Sequence, residues 1–359
     1  MIYFTAALAT FLIALLIVRT QHWHGALSMD STLGVQKFHT NPTPRIGGVA
    51  IACGLAVVYL LGSAELRQLL APIALAGIPA FAAGLAEDLT KRVGVLPRLL
   101  ATIFSGVLAW WLTGVAMRNT GLSAMDSLLS YTPFAVLFTA IAVGGVANAV
   151  NIIDGFNGLA IGAVTIMLGA MGLIALSVGD AQLASVCFLI AAIALGFAAI
   201  NWPLGYLFLG DGGAYLLGFL LAWIAVLLPM RNPQVTAWST MLVCSYPVLE
   251  VVYSFYRRSQ RKGVSATQPD QEHLHHLFHR AIVRPSLPQA SSTLQNGMTS
   301  PIAWVYALLP CSWAVLFARD SFMLFLGFIL ATFTYAVLYR QLSRMDWQPS
   351  APAALLQKD

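Results

Sequence analysis

Long runs of apolar residues, separated by short polar segments, constrain the fold of this chain more than any other feature. A membrane-spanning helix needs about 17 to 25 mostly apolar residues in succession. Only 9% of the residues are charged, against about 25% in soluble domains. The sequence predicts an all-α, polytopic membrane helix bundle of about 11 transmembrane helices, with one integral-membrane domain at residues 1–342 and a short tail at 343–359. The predicted spans are residues 2–18, 47–62, 71–86, 98–117, 132–148, 158–178, 181–200, 213–230, 235–256, 301–318 and 321–340.

The distribution of Lys and Arg sets the orientation, because cytoplasmic loops are enriched in these residues. With eleven spans and the N-terminus outside, 15 of the 19 Lys and Arg residues fall on the inside, in loops, at the inner ends of spans or in the C-terminal tail. Arg19 follows the first apolar run and no basic residue precedes it, which is the reverse of a secretory signal, so we predict a retained span. The net charge of +5 is then mainly a topology signal and does not indicate nucleic-acid binding. The inside loops are 19–46, 87–97, 149–157, 201–212 and 257–300.

One inside loop, residues 148–158, is a polar break between two long apolar runs. It carries Asn148, Asn151, Asp154 and Asn157 among glycines. Each unsatisfied polar group within hydrocarbon costs several kcal/mol. A polar loop between helices would explain part of this composition, but the density of carboxamide and carboxylate groups favours a ligand or metal site.

Two further carboxylate segments lie on the same predicted side. Residues Glu87 and Asp88 end a predicted span, where an ionised group costs about 2.5 kcal/mol or more. They suit Mg²⁺ binding or proton abstraction, and Lys91, on the same helical face as Asp88, could bind phosphate; the alternative is a charge cluster at a helix end. Asp211 precedes two glycines and an apolar run, so a ligand phosphate could approach the start of that helix. With Asp154, these groups resemble an oxygen-ligand site for a hard cation.

Basic residues and histidines complete the inside loops. Lys37, His39 and Arg45 could meet phosphate, although an ordinary positive-inside loop would contain similar residues. In the longest loop, His273, His275, His276 and His279 follow each other at helical spacing. Zinc is one interpretation, since imidazole suits it. A cationic cradle for a diphosphate is the other, and the carboxylates elsewhere favour this second interpretation, with Mg²⁺.

These motifs resemble those of the polyprenyl-phosphate N-acetylhexosamine-1-phosphate transferases, over roughly residues 30 to 340. Residues 87–91, Glu-Asp-Leu-Thr-Lys, are similar to the family's Asp-Asp-x-x-Lys. Residues 151–155 match its Asn-x-x-Asp-Gly, residues 210–212 its Gly-Asp-x-Gly corner, and residues 273–276 its His-x-His-His element. Asn201 and Phe208 occupy positions that contact the uracil of the sugar nucleotide in that family.

Two positions depart from the family pattern. Glu87 replaces the first Asp of one motif, and Asn157 replaces the second Asp of Asp-Gly-x-Asp-Gly. A carboxamide cannot act as a base or nucleophile. Together with the Gly-Asp-Gly-Gly corner, Asn157 looks more like the branch that initiates O-antigen or other surface-glycan synthesis.

The resemblance implies a Mg²⁺-dependent transferase, with Mn²⁺ as a substitute, at the cytoplasmic face of the bacterial inner membrane, with a periplasmic N-terminus and a cytoplasmic C-terminus. Undecaprenyl phosphate would attack the β-phosphate of a UDP-N-acetylhexosamine and release UMP. A homodimer is compatible with it. Asp211 is expected to bind the metal, with Asn151 and Asp154 beside it; Asp88, with Glu87, is expected to orient or deprotonate the lipid phosphate. The expected catalytic residues are Asp88, Glu87, Asp154, Lys91 and His276, and the expected substrate-binding residues are Lys37, Arg45, Asn157, Asn201, Phe208, His273 and His275.

Two other functions fit part of the pattern. A lipid-linked sugar flippase or other secondary transporter would place acidic residues near the bilayer midplane, and Glu250 in the ninth predicted span is the one candidate. Because Glu250 stands about two turns before Arg257, we expect it near the cytoplasmic surface instead. A scaffold for glycan assembly would not need several polar corners on one face. Release of UMP would distinguish an enzyme from both.

Overall fold

The structure is a computed structural model that describes residues 1–30, 42–260 and 272–345. It is helical, which confirms the predicted all-α membrane class. Two-residue strands, β1 (Met29–Asp30) and β2 (Thr43–Pro44), pair antiparallel. The helices are α1 Ile2–Arg19, α2 Gln21–Ser28, α3 Gly47–Leu61, α4 Ala64–Ala76, α5 Ile78–Thr90, α6 Val95–Thr113, α7 Ser123–Leu129, α8 Thr132–Ile152, α9 Leu159–Ser177, α10 Ala181–Asn201, α11 Gly210–Arg231, α12 Ala237–Val243, α13 Ser245–Ser259, α14 Leu274–Phe278, a π-helical turn His279–Val283, α15 Arg284–Ser286, α16 Ser292–Leu316 and α17 Ser321–Ser343.

Eight of the described helices are long and apolar enough to cross a membrane, or nine if the bent pair α4 and α5 forms one span. The axes of this pair differ by 47°. Two of the eleven predicted runs correspond to less regular elements. The run 47–62 becomes α3, which has only 15 residues, and the run 235–256 is divided into α12 and α13. Pro247, in the first turn of α13, cannot continue the hydrogen bonding of α12. The count of eleven therefore stays a prediction.

Helix α11 lies at the centre of the bundle, with α3, α5, α8 and α9 packed around it. Nearly all of its residues are buried, including Phe219 and Trp223. At the start of α11 the backbones come very close. A Cβ added at Gly84 in α5 would lie 2.5 Å from the backbone of Asp211, and one at Gly48 in α3 would lie 2.3 Å from the backbone nitrogen of Gly213. Glycines at these positions allow α3 and α5 to pack closely against residues 211–213 from two sides.

Helix α17 ends at Ser343, and the boundary between the membrane domain and the tail stays a prediction. The tail from residue 346 onward lies outside the described residues. Lys37 and His39, predicted to meet phosphate, lie outside them as well.

Candidate active site

The carboxylate of Asp88, two residues before the end of α5, is fully buried and faces the first turn of α11. Its Oδ1 accepts the backbone N–H of Asp211 at 2.9 Å, and its Oδ2 accepts that of Gly212 at 2.8 Å. The Nε of Arg45 donates to Oδ1 at 3.0 Å. A negative group here pairs with N–H groups that have no partner within α11 and with the positive end of the helix dipole. Asp88 thus fixes the start of α11 and with it the position of Asp211.

Asp211 accepts hydrogen bonds from three other segments of the chain. The Nη2 of Arg45 donates to Oδ1 at 3.2 Å, and the Nδ2 of Asn151, at the end of α8, donates to the same oxygen at 3.1 Å. The Nη1 of Arg98, in the first turn of α6, donates to Oδ2. Four predicted residues, Asp88, Asn151, Asp211 and Arg45, are therefore neighbours in the structure although 166 positions separate Arg45 from Asp211.

Arg98 is a site residue that the sequence pattern did not predict, since its charge was explained by the topology alone. Its guanidinium reaches Asp211 and also lies 6.0 Å from the centre of the Tyr215 ring. The available signal was its position at the start of an apolar run, soon after the Glu87–Lys91 motif. A charge at a membrane boundary has an ordinary explanation as an anchor, so this signal was weak.

Asp154 occupies the turn between α8 and α9. The charges of Asp88 and Arg45 lie close enough to shift its pKa. The pKa of Asp154 is raised to about 7, mainly because burial disfavours the charged carboxylate and also because Asp88 is negative, while Arg45 acts to lower it. Part of the residue still reaches solvent. Near neutral pH this carboxylate therefore holds a proton for a large part of the time, which a nearby cation would displace.

The donor chemistry of this cluster fits Mg²⁺. Asp211, Asn151 and Asp154 offer carboxylate and carboxamide oxygens, the ligands that hard cations prefer. Within the described residues, no three His, Cys, Asp or Glu side chains are grouped so that they could hold a metal by themselves. Mg²⁺ is commonly bound by one or two carboxylates, with substrate phosphates and water as the remaining ligands. The cluster suits that mode of binding.

Glu87 and Lys91 are directed differently from what the sequence predicts. Glu87 accepts the backbone N–H of Val93 at 2.7 Å and closes the loop after α5. Lys91 lies beyond the end of α5 in a left-handed conformation (φ 56°), so it does not share a helical face with Asp88 as expected. The helix ends there because Lys91 leaves the α region. Its Nζ folds back onto the backbone carbonyl of Asp88 at 2.5 Å.

The histidines gather around Phe156, next to the Asp154 turn. The ring centre of Phe156 lies 5.8 Å from that of His275, 5.5 Å from that of His276 and 5.1 Å from that of His279. His273 precedes α14, and its ring stacks on His275 at 5.3 Å. The histidine loop (residues 273–279) and the Asp211 cluster (Arg45, Asp88, Arg98, Asn151 and Asp211) are therefore connected through residues 151–156.

The four histidines are not equivalent as charges. Burial, together with the nearby positive charge of Arg284, lowers the pKa of His279 to about 4. His279 is therefore neutral near pH 7, and its Nδ1 forms a hydrogen bond of 3.0 Å with the hydroxyl of Thr299. This histidine supports the loop and cannot supply a positive charge to a diphosphate.

Glu250, considered in the sequence only as a candidate transport residue, holds this histidine loop. Its carboxylate is fully buried and contacts the backbone N–H groups of Leu274 and His275 at 3.1 and 3.4 Å. It also lies 3.0 Å from the Nδ1 of His275. No sequence motif connects Glu250 with residues 273–276, so only the packing of α13 against the loop identifies it.

Asn201, expected to contact a base, is engaged in backbone hydrogen bonds. Its Oδ1 accepts the N–H of Gly158 at 2.7 Å and its Nδ2 donates to the carbonyl of Leu207 at 2.9 Å. Phe208 is half-buried, and its backbone pairs with Pro44 and Gly47 of the first inside loop. These contacts connect the inside loops to each other and bring Arg45 beside Asp211.

Asn157, the residue that departs from the family pattern, is 7% exposed and lies between two loops and α16. Its backbone N–H donates to Oδ1 of Asn296 at 2.7 Å, and its carbonyl accepts the hydroxyl of Ser300 at 2.6 Å. The side-chain Nδ2 donates to the carbonyl of Pro203 at 3.1 Å. The sequence did not predict these roles of Asn296 and Ser300, because no motif marks the region around them.

We expect Asn157→Asp to reduce the free energy of unfolding by about 1–3 kcal/mol, the usual effect of removing a buried hydrogen-bond partner. A carboxylate would replace the N–H donor and face the Pro203 carbonyl. We expect the turnover rate to fall less than tenfold, since Asn157 has no nucleophilic role to lose. Thermal unfolding in detergent and steady-state rates test both statements. A rise in thermal stability, or a trapped covalent adduct on the wild-type protein, would contradict them.

The family profile described as glycosyl transferase family 4 matches residues 70–229, which include the α5 motif, the Asn151–Asp154 turn and Asp211. An undecaprenyl-phosphate alpha-N-acetylglucosaminyl 1-phosphate transferase of Yersinia pestis is 28% identical over 253 residues, covering 68% of each chain. The protein with the same description from Escherichia coli strain K12 is 28% identical over 261 residues, again with 68% of each chain covered. A decaprenyl-phosphate N-acetylglucosaminephosphotransferase of Mycolicibacterium smegmatis is 29% identical over 276 residues, covering 66% of this chain and 65% of that protein.

Proposed function

We propose that this chain, which is similar to glycosyl transferase family 4 over residues 70–229, is a polyprenyl-phosphate N-acetylhexosamine-1-phosphate transferase that transfers N-acetylhexosamine 1-phosphate from a UDP-sugar to undecaprenyl phosphate. UMP is the second product. The lipid-linked sugar then initiates O-antigen or another surface polysaccharide. The reaction takes place at the cytoplasmic face of the inner membrane, the side on which 15 of the 19 Lys and Arg residues are predicted.

The observation that supports this proposal most directly is the convergence of Arg45, Arg98 and Asn151 on Asp211. Phosphoryl transfer depends mainly on positioning and on neutralising the charge of the phosphates. Two guanidinium groups and a carboxylate, all less than one quarter exposed, give a site that can bind phosphates directly and through a cation. Arg presents paired donors that match phosphate oxygens.

Asp211, with Asn151 and Asp154, would hold Mg²⁺, or Mn²⁺ in its place, which would supply positive charge opposite the diphosphate. Asp88 keeps Asp211 in position. A phosphate monoester has its second pKa near 6, so the lipid phosphate is largely a dianion at neutral pH. It therefore needs no strong base, which agrees with an Asp88 carboxylate whose two oxygens already accept three N–H donors.

The proposal is tested with purified protein in nanodiscs, supplied with undecaprenyl phosphate, Mg²⁺ and each of a panel of UDP-N-acetylhexosamines. We expect UMP release with at least one donor and a lipid product whose mass equals undecaprenyl diphosphate plus that sugar less one water. Omission of the lipid phosphate should abolish UMP release. A folded protein that releases no UMP from any donor, but moves a lipid-linked sugar across vesicles, would support the flippase alternative instead.

The orientation gives a separate prediction. We expect Lys91, Asp154 and His276 on the cytoplasmic side and Arg118 and Arg231 on the other. In a background without the four native cysteines, Lys91→Cys and Arg118→Cys form a matched pair, since both residues are exposed in the structure. A membrane-impermeant maleimide added to intact spheroplasts should label only the cysteine at position 118. Labelling at position 91 alone would show that the true topology is the inverse of the predicted one.

A further inference from the structure

The carboxylate of Glu250 faces hydrogen-bond donors on both of its oxygens. Oε2 accepts the hydroxyl of Tyr335 at 2.8 Å and the backbone N–H of Leu274 at 3.1 Å. Oε1 accepts the backbone N–H of His275 at 3.4 Å and lies 3.0 Å from the Nδ1 of the same residue. The Nδ1 of His273 is 3.3 Å from Oε2. An ionised carboxylate can only accept hydrogen bonds, and every one of these neighbours can donate.

This arrangement determines which nitrogen of His275 carries a proton. The ring is fully buried, and Glu250 accepts at Nδ1, so Nδ1 is protonated whether the ring is neutral or positively charged. The other nitrogen, Nε2, is directed to the turn that carries Asp154. A Cβ added at Gly155 would lie only 3.4 Å from this Nε2.

The carboxylate is also held from its far side. Tyr335 belongs to α17 and is itself buried, with its ring 6.3 Å from that of Tyr306 and 5.1 Å from that of Tyr253. The Tyr335 hydroxyl therefore has little freedom to turn away from Glu250. A buried carboxylate whose neighbours are all fixed donors is preorganised, and histidines oriented by such a partner keep one tautomer and one ring direction.

We propose that Glu250 is a positioning residue that keeps the proton of His275 on Nδ1 and directs its Nε2 to the Asp154 turn, where the diphosphate of the donor binds. The identity of that ligand rests on the proposed function; the Glu250–His275 arrangement does not. Glu250 touches no substrate in this scheme. It acts through His275, and Tyr335 acts one step further away by holding the carboxylate.

Two substitutions separate these steps. Glu250→Gln keeps the shape of the side chain but replaces one of its two oxygens with an NH₂ group. The carbonyl oxygen is expected at the Oε2 position, where the Tyr335 hydroxyl and the Leu274 N–H donate, so the NH₂ group faces the Nδ1 of His275. We expect the His275 proton to move from Nδ1 to Nε2 in this variant, because two donors cannot face each other. Tyr335→Phe removes one donor to Glu250 and leaves the Glu250–His275 contact intact, so the proton should stay on Nδ1.

The tautomer is read by ¹⁵N NMR of protein labelled at histidine, with the His275→Gln spectrum used to identify the His275 signals. Wild-type protein and Tyr335→Phe should show a protonated Nδ1 at His275, and Glu250→Gln should lose it. A wild-type His275 with its proton on Nε2 alone would overturn the proposal without any variant. So would an unchanged Nδ1 signal in a folded Glu250→Gln protein.

Kinetics supply the second measurement. We expect Glu250→Gln to lower kcat/KM about 10- to 100-fold, the range typical of a residue that orients a functional histidine, and Tyr335→Phe to have a smaller effect. In a His275→Gln background, Glu250→Gln should cause little further loss, because both act through one group. Full additivity of the two losses would indicate a separate structural role and overturn the proposal. If wild-type protein releases no UMP but shows the predicted tautomers, the proposed function fails and the positioning role stands.

Discussion

Asp211→Asn is expected to reduce transfer on the order of 10³-fold, the upper part of the range for losing one charge-stabilising group. The amide keeps the size of the side chain but removes the negative charge that a hard cation needs. It also leaves Arg45 and Arg98 facing each other without the carboxylate between them. The loss should therefore appear in Mg²⁺ dependence as well as in rate, with saturation requiring more Mg²⁺ than in the wild type.

Asp180→Asn is the matched control for this substitution. Asp180 also accepts hydrogen bonds from an arginine and an asparagine, Arg231 and Asn232, but it lies in the loop between α9 and α10. We expect it to lose stability without losing the specific activity of the folded protein. UMP release at limiting and saturating Mg²⁺ distinguishes the two variants. Near-normal turnover of Asp211→Asn at limiting Mg²⁺ would remove Asp211 from the proposed metal site.

The part of the site that the sequence predicts consists of acidic and amide groups within short motifs. Asp88, Asn151 and Asp211 are recognisable because a charge or carboxamide at the end of an apolar run is costly unless it has a partner. The sequence places each of them at an inside loop, and the structure brings those loops together through the close packing of α5 and α8 on α11. For these residues the local cost of burial was a sufficient signal.

The residues that the sequence could not identify are those whose role depends on contacts between distant helices. Arg98 and Glu250 each have an ordinary explanation in isolation, as a membrane anchor and as a charge near the surface. Asn201 is the reverse case. Its motif predicts an amide that faces a ligand, but in the structure the amide donates to and accepts from backbone groups. An amide serves either purpose equally well, and only the fold decides.

The positions of breaks between helices are also hard to predict from the sequence. A hydropathy average over residues 235–256 gives one apolar run, since the break between α12 and α13 occupies a single residue, Cys244. Averaging does not detect Pro247, which lies in the first turn of the new helix. The consequence is functional, because the break directs α13 so that Glu250 meets the histidine loop.

Asp88→Asn is expected to cost on the order of 10² to 10⁴ in rate, the range of a positioned acid–base group. The structure gives a reason that does not require proton transfer. The carboxylate accepts the N–H groups of Asp211 and Gly212 on separate oxygens. An amide can accept only one of them and turns its NH₂ group toward the other. The start of α11 must then shift, and a displacement of about 1 Å at a reacting group can cost about 10²-fold.

The comparison of Asp88→Asn with Asp88→Glu distinguishes positioning from general-base catalysis. Glu keeps the charge and the basicity but adds a methylene in a fully buried position beside the α11 backbone. If Asp88 positions Asp211, both variants should lose rate and Mg²⁺ affinity together, and their residual activity should keep the pH profile of the wild type. If Asp88 were the base, Asp88→Asn alone should lose the acidic limb of that profile while Mg²⁺ affinity stays unchanged. An Asp88→Asn protein that retains most of its activity would refute both roles, because the carboxylate would then be dispensable for holding Asp211 as well as for the chemistry.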